Sequence, residues 1–149
     1  MKKIALSLIL LSGLFFNSCK NETLDPSTTD TRTEISKTWK CDEISDGQTN
    51  SYDVVITKDA ANENQIIIKN FHNCGGTNEM KATVSTDKVI TIANGSIPGL
   101  TYTLKNCLGT ISASYQKIDW TYIINDPQTG DLQVTATYTP GTITKKKIQ

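Results

Sequence analysis

From Lys37 onward apolar and polar residues alternate with a period of two. Trp39 and Cys41 share one face of a first expected strand. Tyr52, Val54 and Ile56 alternate with Asp53 and Thr57, and Ile66 and Ile68 follow a turn built from Asp59-Ala60-Ala61-Asn62-Glu63-Asn64. Met80, Ala82 and Val84 alternate with Lys81, Thr83 and Ser85, and Ile90 and Ile92 come after a Thr86-Asp87 corner. Tyr102 and Leu104 form one further run, and Ile111, Ala113 and Tyr115 another. Ile118, Trp120, Tyr122 and Ile124 face Leu132, Val134, Ala136 and Tyr138 across a turn at Asp126-Pro127-Gln128-Thr129-Gly130. A period of two with one polar face predicts antiparallel strands packed on one side. No stretch of the domain carries a sustained helical period.

Eight or nine such strands predict an all-β domain, an antiparallel up-and-down β-barrel with a β-sandwich as the alternative. Closure would remove the sheet edges that so many Thr-rich strands otherwise expose. The inward positions are rich in large side chains: Trp39, Tyr52, Met80 and Tyr102 in the first half of the domain. Tyr115, Trp120, Tyr122 and Tyr138 continue the set in the second. Eight strands leave room either for a solid core or for one small ligand. These residues therefore either fill the barrel or line a pocket for an apolar or glycan ligand.

Thr38-Trp39-Lys40 at the start of the first strand is similar to the opening of lipocalin-like domains. The stretches Asn64 to Phe71, Lys81-Ala82-Thr83-Val84 and Val89-Ile90-Thr91-Ile92 resemble small lipocalin-like lipoproteins of the Bacteroidetes group. So do Ile118-Asp119-Trp120-Thr121-Tyr122 and Ala136-Thr137-Tyr138. The resemblance implies a calycin-type barrel with a Trp plugging one end.

The N-terminus changes the setting. Lys2 and Lys3 precede an apolar run from Ile4 to Phe16, 13 residues long. That suits a secretory signal and falls short of the roughly 18 apolar residues of a spanning helix. Ser18-Cys19 followed at once by Lys20-Asn21-Glu22-Thr23 resembles the lipobox of bacterial lipoproteins, which implies cleavage before Cys19 and acylation of its thiol. The expected organisation is a signal peptide over 1–18, a lipidated Cys19 with a polar tether to 36, a barrel over 37–140, and a tail over 141–149 that carries Lys145-Lys146-Lys147. The expected address is the bacterial outer membrane, lipid-anchored and facing the periplasm or the cell surface. The mature chain would carry 13 basic against 15 acidic residues, a balance that points away from a nucleic-acid partner.

Candidate chemistry is sparse. His72 falls in an expected loop and reads as a surface residue. His72-Asn73-Cys74 lacks the paired spacing of a structural zinc site, so neither metal nor cofactor is expected. Asp42 and Glu43 are adjacent, hence on opposite faces of a strand. Gly75-Gly76 is turn geometry rather than a phosphate loop. The cysteines other than Cys19 are Cys41, Cys74 and Cys107. Cys74 and Cys107 each precede a glycine in loop-like sequence, which favours a Cys74–Cys107 disulfide, with three free thiols as the alternative. An enzyme is not expected. The two readings of function are a lipid-anchored binding module for a small ligand and an interaction protein with a filled core that docks on an envelope complex or a host macromolecule.

Replacing Cys19 by Ala is expected to release the protein from membranes, because stable anchoring rests on acyl chains worth about 0.8 kcal/mol per buried methylene. Fractionation followed by a salt wash checks this, and a variant that still pellets would refute the lipobox.

Overall fold

A computed structural model describes residues 29–141. The expected signal segment, Cys19, the tether up to 28 and the tail from 142 lie outside the described residues. The elements run in order: α1 (Thr31–Ile35), β1 (Thr38–Ser45), β2 (Gln48–Lys58), β3 (Gln65–Lys69), a 3-10 turn (Phe71–Asn73), β4 (Glu79–Val84), β5 (Val89–Ile92), β6 (Gly95–Ser96), β7 (Thr103–Ile111), β8 (Ile118–Asp126) and β9 (Gly130–Pro140). Each strand pairs antiparallel with its neighbours, from β1 through β5, then β7, β8 and β9. Two pairings close the circle. β5 pairs with β7, Ile90 opposite Gly109, and β1 pairs with β9, Cys41 opposite Tyr138. The result is an eight-stranded up-and-down barrel, with β6 an extra two-residue strand on β7.

Alternation places the core. On β8 Ile118, Trp120, Tyr122 and Ile124 are buried while Asp119 and Thr121 are exposed, and β4 and β9 repeat the pattern. The interior is filled with side chains. Phe71 meets Trp120 edge-on at 5.7 Å between ring centroids, and Trp120 lies 5.6 Å from Tyr138. The Trp120 indole N–H is buried and makes no hydrogen bond among the described residues, so packing alone orients this ring.

One barrel end is plugged. Asp30 caps α1 by accepting from the Arg32 backbone N–H at 2.9 Å, and the helix lowers Ile35 into the barrel, fully buried. Trp39 Nε1 donates to the Ile35 carbonyl at 2.9 Å, and the Lys37 ammonium lies 4.9 Å from the Trp39 ring centre. Residues 31–35, expected in the polar tether, thus belong to the folded unit. A single buried isoleucine and a capped helix of five residues are too short a signal for periodicity to reveal.

A second departure concerns the strand after β6. Tyr102–Leu104 and Ile111–Tyr115 were expected as two strands with Cys107 in a loop between them. Thr103–Ile111 is instead one strand, β7; Tyr102 precedes it, and Ala113 and Tyr115 sit in the following turn. A bulge explains the broken alternation. The β7–β8 register shifts between Lys105 and Leu108, where Asn106 adopts a left-handed φ of 51°. Leu104 faces inward before the bulge; Cys107, Gly109 and Ile111 face inward after it.

Gly109 packs beneath Trp120. A Cβ there would lie 2.9 Å from the ring, and the rigid indole has the interior packed behind it. Gly109→Ala is expected to destabilise the domain by about 1–3 kcal/mol. Gly76→Ala, where a Cβ meets nothing within 4 Å, is expected to change stability by under about 0.5 kcal/mol. Urea unfolding of both variants checks the pair.

Candidate functional site

Trp39, Cys41 and Glu43 share the inward face of β1, so strand geometry carries a carboxylate into the barrel two residues before the strand ends. Glu43 is 3% exposed. A charge in such a place requires donors, and three converge on its Oε2. The hydroxyls of Tyr52 on β2 and Tyr122 on β8 both donate to this oxygen. His72 Nδ1 lies 3.1 Å from the same atom. Facing a carboxylate, that nitrogen carries the hydrogen. Asp42, one residue earlier, points outward to Lys40 and Ser51.

His72 owes its position to its neighbours. Phe71 is fully buried and tilts against Tyr122 at 5.0 Å, which anchors the segment across the barrel end opposite α1. Asn70, His72 and Asn73 all have left-handed φ, at 62°, 51° and 52°. Asn and His tolerate that conformation better than most side chains. The Asn70 side chain donates to the Asp53 carbonyl at 2.7 Å and accepts from the Gly75 N–H at 2.8 Å. The next loop, 93–102, packs on this one through Gly99. With φ at 80°, a Cβ on Gly99 would collide with the Asn78 amide, which itself binds the Cys74 carbonyl.

These segments frame a cleft of about 330 Å³ at the barrel mouth. Glu43 and His72 lie at its inner side. Leu100, Tyr102, Ile124 and Leu132 supply apolar wall, and Asp126 stands at the rim. The three donors that reach Glu43 all meet Oε2, none of the described residues donates to Oε1, and the Glu43 side chain lines the cleft. Burial pushes the Glu43 carboxyl up, but hydrogen bonds from His72, Tyr122 and Tyr52 outweigh it and hold the group below its ordinary 4.5. Burial also raises the Tyr52 and Tyr122 phenols far above their usual range, which keeps both as donors.

No family model and no curated protein matches the chain. Among solved structures it is similar to a redesigned β-barrel, with a TM-score of 0.56 and 15% identity over 77% of this chain and 98% of that one. It is also similar to EF1p2_mFAP2b bound to DFHBI, with a TM-score of 0.51 and 13% identity over 76% of this chain and all of that one. The shared architecture is a β-barrel. At these identities the likeness is one of fold.

Of the residues expected to fill or line the barrel, Trp39, Tyr52, Met80, Trp120, Tyr122 and Tyr138 are buried. Trp39, Trp120 and Tyr138 belong to the packed interior and do not border the cleft. Tyr102 is half-buried and does border it. Tyr115 lies at the opposite end, beneath the Lys88 ammonium at 4.0 Å, beside a broader depression of about 720 Å³ between α1 and the loops. The expected Cys74–Cys107 bridge is not formed, and Cys41, Cys74 and Cys107 are buried free thiols. Cys107 is committed to a paired strand opposite Ile92, whereas Cys74 closes the turn after Phe71. Burial pushes the Cys41 and Cys107 thiols up to about 12 and raises Cys74 as well, which leaves all three poor nucleophiles. His72, expected on the surface, has a side chain only 13% exposed. Glu43 was expected only to lie on the opposite strand face from Asp42, with no role in a site, although its parity with Trp39 and Cys41 was the signal that places it inside.

Because the Glu43 carboxyl titrates below its ordinary value, its ionisation favours the folded state above pH 4.5. That contribution is lost as pH falls through the lowered folded value. Asp30 and Asp59, both held at about 2, add a further loss as pH falls from 3.8 through that value. Glu43→Gln is expected to cost about 1–3 kcal/mol at neutral pH and to flatten the first part of the acid limb. Thermal melts across the acid range check this, and a variant with an unchanged pH profile would refute it.

Proposed function

We propose that the protein is a small-molecule-binding barrel held at a membrane by lipid on Cys19, with its ligand site at the barrel mouth rather than in the interior. The observation that carries this reading is Glu43. The charged group is buried and saturated with donors on one oxygen, its other oxygen takes no donor from the described residues, and the residue lines a cleft of about 330 Å³. An apolar residue would serve a purely structural core at this position without the desolvation cost of a carboxylate. The cleft falls within the range of about 300–1,000 Å³ typical of small-molecule sites. A barrel of the same kind, EF1p2_mFAP2b, is bound to DFHBI, which supports the fold's capacity for a compact ligand. The reading is one of binding without turnover. A carboxyl held below its ordinary pKa is a poor base near neutral pH and a good hydrogen-bond acceptor. The signal-like run before Cys19 supports a lipid anchor at the bacterial outer membrane.

The filled interior favours the second reading, an interaction protein. Ile44 and Leu108 are 50% and 43% exposed and fall on one outward row across β1, β9, β8 and β7. Thr135 and Thr121 separate them in that row, so the two do not form a continuous apolar patch.

Ligand-observed magnetic resonance of the full chain with a library of small aromatic and aliphatic fragments tests the first reading. Expected hits lose binding in Leu132→Trp, which fills the mouth, and keep it in Tyr115→Ala at the other end. Hits that survive Leu132→Trp, or no hits at all, would overturn it.

A further inference from the structure

The cleft is lopsided in charge. Glu43 and Asp126 are its acids, and no Lys or Arg is among the residues that line it. His72 is the one basic side chain there, and its Nδ1 already faces Glu43. Oε2 of Glu43 has spent its acceptor capacity on three donors, so the remaining capacity of the carboxylate resides on Oε1. A carboxylate oxygen that no protein donor reaches gains most from a positively charged donor. A neutral hydrocarbon would leave it unpaired, and an anion would meet two carboxylates. The walls suit the rest of such a ligand. Leu100, Ile124 and Leu132 offer apolar contact, and Tyr102, edge-on to His72 at 6.3 Å between ring centres, offers an aromatic face that attracts cations.

We propose that the cleft at the barrel mouth is a site for a small organic ammonium ion, whose N–H groups donate to Glu43 Oε1 while its hydrocarbon part lies on Leu100, Tyr102, Ile124 and Leu132. The assignment rests on the reading of the cleft as a small-ligand site. Asp126 contributes charge at the rim. The Gln128 backbone N–H donates to its Oδ1 at 2.8 Å and fixes the carboxylate there.

The test is calorimetric titration of the full chain with three probes that share a phenyl ring on a two-carbon chain and differ in the charge at its end: phenethylammonium, 2-phenylethanol and phenylacetate. The ammonium is expected to bind about 10–100-fold more tightly than the alcohol, the ratio set by one charge-assisted hydrogen bond. Phenylacetate is expected not to bind. Glu43→Gln is expected to abolish the preference of ammonium over alcohol. Because that variant is itself destabilised, Asp126→Asn at the rim serves as a second probe, expected to weaken the ammonium about 2–5-fold and leave the alcohol unchanged. Equal affinity for ammonium and alcohol would overturn the assignment and leave the cleft as an uncharged-ligand site. Binding by none of the three would also overturn it, and the fragment screen then decides separately whether the cleft takes ligands at all.

Discussion

The ladder between Trp39–Ser45 and Val134–Pro140 joins the two ends of the sheet, and closure of the barrel depends on it. With β5 paired to β7, it divides the residues of every barrel strand between an enclosed face and a wetted one. An inward position then has no route to solvent except through one of the two ends. Apolar side chains fill most of these positions at no electrostatic cost. Polar groups survive inside only where donors and acceptors from other strands reach them, and one end, stoppered by Ile35 and Trp39, offers no such opening.

That constraint explains why Glu43 stands where it does. It is the last fully buried residue of β1, close enough to the open mouth to line the cleft and deep enough for Tyr52 and Tyr122 to reach one of its oxygens. Its neighbours on the same face, Trp39 and Cys41, lie progressively nearer the plug. The same carboxylate thus supports the fold through three donors and gives the cleft its charge, so changes to either role will be felt in the other.

Most of the barrel was legible because alternation is a strong signal in strands with one wet face. β2, β4, β8 and β9 read cleanly from Tyr52, Met80, Trp120 and Tyr138. Reading failed where geometry departs from period two. The left-handed Asn106 shifts the register within β7 and disguised one strand as two. The five residues of α1 are too few to show a helical period. The site was less legible than the fold for a different reason. Parity placed Glu43 inside, but nothing local in sequence brings it to Tyr122, 79 positions later, or to His72. Those meetings come from closure and from Phe71 anchoring its loop.

Closure by the first and last strands also has a consequence for the order of events during synthesis. Cys41 is covered by β9, directly opposite Tyr138. Hairpins such as β1–β2 and β8–β9 are local and form early, but the seam between β1 and β9 waits until nearly the whole chain has left its source. Throughout that interval the Cys41 thiol lacks the cover that later makes it inert, and its acidity is that of an ordinary cysteine. The vulnerability of this thiol to oxidants or to stray partners is therefore a matter of timing rather than of final structure. It is greatest in a nascent or newly delivered chain, and it ends when the last strand zips home.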